Sequence, residues 1–460
     1  MIAGLIRLGV LRGAAVLAVS ILLAATFLFA PGPRPASAED ALRRRAFIGI
    51  GYRPATTAEA ESLGVQAGQL IVYRVFPASP AERAGLQVDD VIEAVDGRSV
   101  RDESGLRSIL RGRYAGQTIQ LSVRRSGAGR VLGLAADALP AEQADGVEIE
   151  YASFPVRGAR LRAVVASPPG SGGKRLPGVL IVSALQSPQL IGGRFPSMTR
   201  DLAYQLARAG FRVLRFELRG FGDSEGEDYR TTEFESEIAD NLAALEYFAE
   251  RPDVDSRRVF IFGHSTGGLE AAAVAARRPP AGLIVSATIG RTYFERMAET
   301  LRLQGRLAGD PEPEVDRTVT TYIQFASTIL RGGAAPELQR DTTFARLFNS
   351  EGRIMDDRTV EFWRQQLSFG PAEVYARIGC PVLIVWPASD YLTQLACHEQ
   401  IRDVLLAAGN RDVTLRVIAE TDHAYSRARD ARAAFENRRT RNFEWNPAPG
   451  DTIAAWLSRH

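Results

Sequence analysis

Apolar residues recur along this chain in two rhythms. Between residues 46 and 137 they come in short alternating or glycine-broken runs: Ala46-Phe47-Ile48-Gly49-Ile50-Gly51, Leu70-Ile71-Val72-Tyr73-Arg74-Val75, Val91-Ile92-Glu93-Ala94-Val95 and Ile119-Gln120-Leu121-Ser122-Val123. Runs of that length and period predict strands. A short helix is expected after Ser79-Pro80, stopped at Gly85, then a hairpin turn at Asp96-Gly97 and a helix near residues 106–110. These elements make a small β-rich module.

From residue 147 the rhythm changes. Residues 147–151 alternate and residues 161–165 are apolar, with a turn at Val156-Arg157-Gly158 between them, which predicts an antiparallel pair. Mostly apolar strand-like runs follow at 179–182, 211–218, 259–262, 283–287, 382–386 and 413–418, and helical stretches at 201–209 and 236–249 lie among them. Strands that are apolar on both faces belong in a sheet covered on both sides, so this half is expected to be α/β with a mostly parallel sheet. Residues 138–146 are turn-rich and read as a linker. Between Gly290 and Pro371 roughly eighty helix-like residues interrupt the sheet, far longer than an ordinary connection. They carry Tyr293, Phe294, Tyr322, Phe325, Phe344, Phe348, Phe362 and Trp363, which either line an acyl pocket or, the reading preferred here, pack an inserted core of their own.

The first residues follow a different logic. Arg7 and Arg12 precede an uncharged, mostly apolar run from Gly13 to Ala30, and Ala36-Ser37-Ala38 is a small-x-small cleavage site before Glu39. This is the pattern of a signal peptide over residues 1–38, and it implies a periplasmic or secreted protein. The run is also near the length that spans a bilayer, so an uncleaved anchor facing out of the cytoplasm is the alternative, and membrane contact is expected only if the segment is retained.

Composition narrows the partners. At 460 residues two or three domains are expected, and 45% apolar with 24% charged residues is ordinary for globular protein. The formal charge of +2 falls close to neutral once Arg7, Arg12 and Arg34 are removed, which gives no footing for nucleic acid. Cys380 and Cys397 are the only cysteines; the strand predicted between them argues for two free thiols rather than a bridge. No cysteine–histidine set has metal-ligand spacing, so neither metal nor cofactor is expected.

The chemistry concentrates at Val259-Phe260-Ile261-Phe262-Gly263-His264-Ser265-Thr266-Gly267-Gly268. An apolar strand runs into Gly-x-Ser-x-Gly and then into an Ala- and Leu-rich helix. That context suits a sharp turn that exposes the Ser265 hydroxyl and aims the Thr266 N–H, at the helix start, toward an oxyanion.

Two family resemblances follow from these residues. Ser79-Pro80-Ala81-Glu82-Arg83-Ala84-Gly85-Leu86, then Asp90-Val91-Ile92, then Val95-Asp96-Gly97 resemble a PDZ domain in the permuted order of bacterial secreted proteases. The resemblance implies a groove between the strand at 47–51 and the helix at 101–111, with Phe47, Ile48, Gly49 and Ile50 at the loop that receives a peptide's terminal carboxylate. The alternative is a PDZ module that only docks against the enzyme or a partner.

Residues 147–460 resemble the α/β-hydrolase superfamily, with the segment at 291–370 where that family inserts a lid. In that family the nucleophile, the acid and the histidine follow in chain order. The resemblance therefore implies Ser265, then Asp390 in the loop after the strand at 382–386, then His423 after the last strand. Glu420 and Asp422 are nearby carboxylates in competition with Asp390. His264, next to Ser265, is expected to face away from the attack path, and His398 and His460 fall elsewhere. A second oxyanion donor is expected after the strand at 179–182, at Leu185 N–H or else Ala184 N–H. Arg219-Gly220-Phe221-Gly222-Asp223-Ser224 matches the family's structural turn rather than a dinucleotide loop. The expected protein is a serine hydrolase of carboxylic esters with a PDZ module for a C-terminal peptide. A peptidase of prolyl-oligopeptidase type and a non-catalytic peptide-binding scaffold are the rivals.

Overall fold

The computed structural model describes residues 42–460 except 67, 183–196, 349–352, 355–356 and 441–442. The signal-like segment, together with Ala184 and Leu185, lies outside the described residues. No helix among those described is long and apolar enough to cross a membrane.

The N-terminal module is built from β1 (Ala46–Phe47), β2 (Ile50–Pro54), α1 (Thr57–Leu63), β3 (Leu70–Val75), α2 (Pro80–Arg83), β4 (Val91–Val95), β5 (Arg98–Ser99), α3 (Glu103–Arg111), β6 (Thr118–Arg125), β7 (Ala128–Ala135) and β8 (Asp137–Ala138). Its antiparallel sheet runs β2-β3-β4-β6-β7, β5 pairs with β4, and β1 pairs with β8. Leu70, Val72, Ile92, Leu106, Ile119 and Leu121 form its core. α2 starts where the sequence predicted, with the Ser79 hydroxyl accepting the Glu82 N–H and Pro80 in the first turn. β7 was not foreseen. Most of its residues face water, so its sequence shows no buried alternation to detect.

The second module carries β9 (Glu148–Val156), β10 (Ala159–Ser167), β11 (Leu176–Ile181), α4 (Met198–Arg208), β12 (Arg212–Phe216), α5 (Phe234–Glu250), β13 (Val254–His264), α6 (Gly267–Arg277) and β14 (Gly282–Ser286). The inserted α7 (Tyr293–Ala308), α8 (Glu312–Leu330), α9 (Ala335–Arg340), α10 (Val360–Ser368) and α11 (Pro371–Tyr375) come next. β15 (Val382–Pro387), α12 (Leu395–Ala407), β16 (Val413–Ile418), α13 (Ala431–Thr440) and α14 (Ala448–Leu457) close the chain. The eight strands run β16-β15-β14-β13-β11-β12-β10-β9, with every pairing from β16 to β12 parallel and β9 and β10 antiparallel. Side chains alternate across a strand, and β13 shows it: Val259 and Ile261 join the core on one face, Phe260 and Phe262 the core on the other.

The inserted aromatics mostly pack on one another and on the main core. Tyr322, Phe325, Phe344, Phe362 and Trp363 are buried, Tyr293 packs tilted against Trp363, and Phe362 meets Phe234 of α5 edge-on. The segment is pinned by Arg358, which is fully buried, donates to Glu237 of α5 at 2.6 Å and lies over the Phe362 ring. Burial pushes the Glu237 carboxyl up to about 7 against the pull of Arg358. It also raises buried Glu270 of α6 well above the ordinary range, helped by Glu237.

The linker is more than a tether. Glu142 is buried, accepts from the Tyr204 hydroxyl at 2.5 Å and pairs with Arg215 of β12. The two modules meet at the Arg219–Gly226 turn. Asp223 accepts the Arg45 N–H at 2.7 Å and pairs with Arg44 at 2.6 Å. The Asp223 N–H in turn donates to buried Glu217 at 2.6 Å. Arg111, at the end of α3, pairs with Asp228, which also holds Arg230.

Candidate active site

Ser265 sits between the end of β13 and the start of α6 with φ +55°, a left-handed conformation that costs a non-glycine residue roughly 1–3 kcal/mol. Three hydrogen bonds to its backbone, one from a side chain, hold it there. Its N–H donates to Ser286 O at 2.9 Å, and its carbonyl accepts the Gly268 N–H at 3.0 Å and the Thr288 hydroxyl at 2.6 Å. The flanking glycines are steric necessities. A Cβ on Gly263 would lie 2.4 Å from Gly267 O, and one on Gly268 would lie 2.1 Å from Thr288 Oγ1. Ser265 is half-buried, and Thr266 occupies the N-cap of α6, where helix N–H groups have no partner within the helix.

Asp390 follows β15 and is almost fully buried. Its Oδ1 accepts the N–H groups of Leu392 at 2.6 Å and Thr393 at 3.1 Å. Its Oδ2 accepts the Thr393 hydroxyl at 2.5 Å and lies 2.8 Å from Nδ1 of His423. Burial alone would raise this carboxyl's pKa. His423, Thr393 and Leu392 together outweigh it and hold the group below its ordinary value, so Asp390 is an anion at neutral pH.

The competing carboxylates have other work. Asp422 accepts the N–H groups of Ala424 at 2.9 Å and Ser426 at 2.7 Å and so shapes the loop that carries His423. Glu420 is exposed. The structure thus brings Asp390 and His423 together and leaves Glu420 and Asp422 out. It lays the His423 ring against His264, the residue before Ser265, with ring centroids 4.7 Å apart. Among the described residues no hydrogen bond joins Ser265 Oγ to His423.

His264 and His398, set aside in the sequence, both lie around this centre, His398 fully buried and His264 half-buried. Burial and the neighbouring His423 push His264 well below the usual histidine range. His398 of α12 accepts the Thr288 N–H on Nε2 at 3.0 Å, and burial lowers it to about 4. Nothing local in the sequence marks His398, because Thr288 is 110 positions away. His460 hydrogen-bonds the Trp456 carbonyl at the far end of α14. Both cysteines are free; burial pushes the Cys380 thiol up to about 11. No group of histidine, cysteine and carboxylate side chains among the described residues is arranged to hold a metal.

In the N-terminal module, Gly49 takes φ +80°, and a Cβ there would lie 2.1 Å from that of Ser79. The carbonyls of Ile48 and Gly49 are occupied by the N–H groups of Ala81 and Phe76, both at 2.9 Å. Phe47 and Ile50 are half-buried and Ile48 is buried. β2 ends the sheet order, and among the described residues its outer edge has no strand partner. Arg107 of α3 interacts with the Tyr52 hydroxyl of β2.

The same two regions stand out in comparison with known proteins. A family model described as serine aminopeptidase, S33, matches residues 196–428, and a PDZ-domain model matches residues 46–134. The uncharacterized protein Rv2307c of Mycobacterium tuberculosis is 32% identical over 158 residues, covering 33% of this chain and 52% of its own. Esterase EstD of Thermotoga maritima is 30% identical over 224 residues, covering 49% and 48%. A probable periplasmic serine endoprotease, DegP-like, of Rhizobium meliloti is 30% identical over 105 residues, covering 23% and 21%. The chain spans at most about half the length of these relatives.

Proposed function

Because the chain belongs to the serine aminopeptidase S33 family of α/β hydrolases and carries a PDZ domain, we propose that it is an exported serine hydrolase that cleaves carboxylic esters. The observation that carries this reading is the Asp390–His423 pair lying against the residue that precedes the strained Ser265.

In this reading Ser265 Oγ attacks the ester carbonyl while His423 Nε2 takes its proton. Asp390, an acceptor at both oxygens, keeps the His423 proton on Nδ1 and steadies the imidazolium. The tetrahedral oxyanion is held by Thr266 N–H and by a second donor assigned to Leu185. Collapse expels the alcohol, which carries the proton from His423, and leaves an acyl-Ser265. Water then gives its proton to His423 and its oxygen to the acyl group, releasing the acid. Hydrogen bonds of this kind are often long outside the Michaelis complex and tighten with substrate, so the Ser265–His423 bond is assigned to that complex.

Export is supported by the signal-like residues 1–38 and by the periplasmic DegP-like relatives, and it makes the periplasm the expected compartment. The PDZ loop at Phe47, Ile48, Gly49 and Ile50 is read as a site for a peptide C-terminus added to the free edge of β2. A second reading, a peptidase, is favoured by the family's own description and by a peptide-binding module in the same chain. A fluorophosphonate probe with mass mapping tests both. Labelling at Ser265, abolished in Ser265→Ala, is expected. A folded chain that never labels would point to a non-catalytic scaffold. Ester and peptide panels then separate the two enzymes.

A further inference from the structure

Ser265 keeps its left-handed backbone through a residue that no motif identifies. The Thr288 hydroxyl donates to Ser265 O at 2.6 Å, and the Thr288 N–H donates to His398 Nε2 at 3.0 Å. An N–H can donate only to a bare nitrogen, so His398 carries its proton on Nδ1, which lies 3.0 Å from Gln394 O. The imidazole is therefore neutral and in one tautomer, with both ring nitrogens engaged. Thr288 and His398 are fully buried, so no water can replace either partner from outside. Gly268 leaves the space that Thr288 Oγ1 fills, since a Cβ there would lie 2.1 Å from it. The turn at Ser265 is thus tied, through Thr288, to the helix that follows the Asp390 loop.

We infer that His398 is a positioning residue: by holding the Thr288 N–H it aims the Thr288 hydroxyl at the Ser265 carbonyl and keeps the Ser265 side chain in its attacking orientation. This rests on the serine-hydrolase reading above. His398 is not a base for the reaction, because Nε2 is already occupied and the ring is sealed from solvent. Removing its acceptor leaves a buried N–H unsatisfied and frees Thr288 to turn. The strained turn then relaxes, and a displacement of about 1 Å at a reacting atom is enough to cost about a hundredfold in rate.

The test uses the full-length protein, a fluorophosphonate probe and ester kinetics. His398→Leu removes the acceptor, and His398→Gln returns an oxygen in its place. The expected result is labelling at Ser265 and kcat both lowered about ten- to hundredfold in His398→Leu, with KM changed less than about twofold. His398→Gln should recover most of the loss. Adding Thr288→Val to His398→Leu should cost little more, because both act through one contact. Equal labelling rates in His398→Leu and wild type, or losses that multiply in the double variant, overturn the inference while leaving the hydrolase reading intact. A wild-type chain that never labels sinks both. If His398→Leu does not fold, Thr288→Ser, which keeps the hydroxyl, should label about tenfold faster than Thr288→Val. Equal rates there also overturn it.

Discussion

Nδ1 of His423 lies 2.8 Å from Oδ2 of Asp390, and the remaining acceptor positions of that carboxylate are filled by Thr393 and Leu392. The bonds that anchor the acid also dictate the imidazole tautomer. An ionised carboxylate can only accept, so the His423 ring must place its proton on Nδ1 and leave Nε2 bare. Asp422, the sequence neighbour of His423, has no such effect, because both of its observed partners are backbone N–H groups in its own loop.

Asp390→Asn removes the charge and puts an amide group where an acceptor is needed. Turnover is expected to fall by about 10³–10⁴, and the lost acceptor should cost about 1–3 kcal/mol of stability. Asp422→Asn, by contrast, should lower kcat by less than about tenfold. Steady-state ester kinetics on both variants decide it; equal losses would remove Asp390 from its role.

Arg358 is the sole cation that the buried Glu237 is seen to bond among the described residues, and Glu270 lies in the same electrostatic cluster. Arg358→Leu strands those carboxyls. It should destabilise the protein by about 3–5 kcal/mol at pH 8. The cost should shrink toward pH 5, where both carboxyls hold protons. Urea unfolding at the two pH values reads the difference; a cost that is flat or grows on acidification contradicts the account.

Glu217 gives a second, separable pH effect. Burial first, then the charge of Asp223, lifts its folded pKa to about 8, against an ordinary value of 4.5. The folded state therefore binds the extra proton between those values. The stabilisation linked to that proton is complete below about pH 4.5 and is lost as pH rises through about 8, at up to about 1.4 kcal/mol per unit. Glu217→Gln abolishes this slope, so its stability relative to wild type should climb from pH 4.5 to pH 8. Parallel stability curves for the two proteins would refute the assignment.

Asp223 bonds the PDZ module to the hydrolase through Arg44 and the Arg45 N–H. Asp223→Ala leaves those donors without their acceptor and should cost about 1–3 kcal/mol. Hydrogen exchange should quicken in residues 44–54 while β13 and β14 stay protected. Unchanged exchange at residues 44–54 would mean that the module is held by its other contacts.

The elements that were legible in the sequence are those whose cause is local. β13 and the turn at Ser265 follow from an apolar run meeting Gly263, Gly267 and Gly268, and α2 follows from Ser79-Pro80. β7 escaped notice because its exposed residues carry no periodic signal. His264 was set aside as facing away from the attack path, His398 as a helix residue outside any motif, and Glu142 as part of a loop, because what matters about each is a partner far along the chain.

The resemblances to the PDZ and α/β-hydrolase families implied Asp390 and His423, whereas periodicity and turn chemistry were enough to predict a small β-rich module ahead of a mostly parallel α/β sheet and to single out the turn at Ser265. They were enough because backbone hydrogen bonding and strand or helix amphipathicity act over a few residues. Folding in three dimensions selected Asp390 over Glu420 and Asp422 as the partner of His423, joined Asp223 to Arg44 and Arg45, and brought His398 to Thr288. Those pairings depend on which buried polar groups end up within about 3 Å of one another, and that is set by how whole layers pack rather than by any stretch of neighbouring residues.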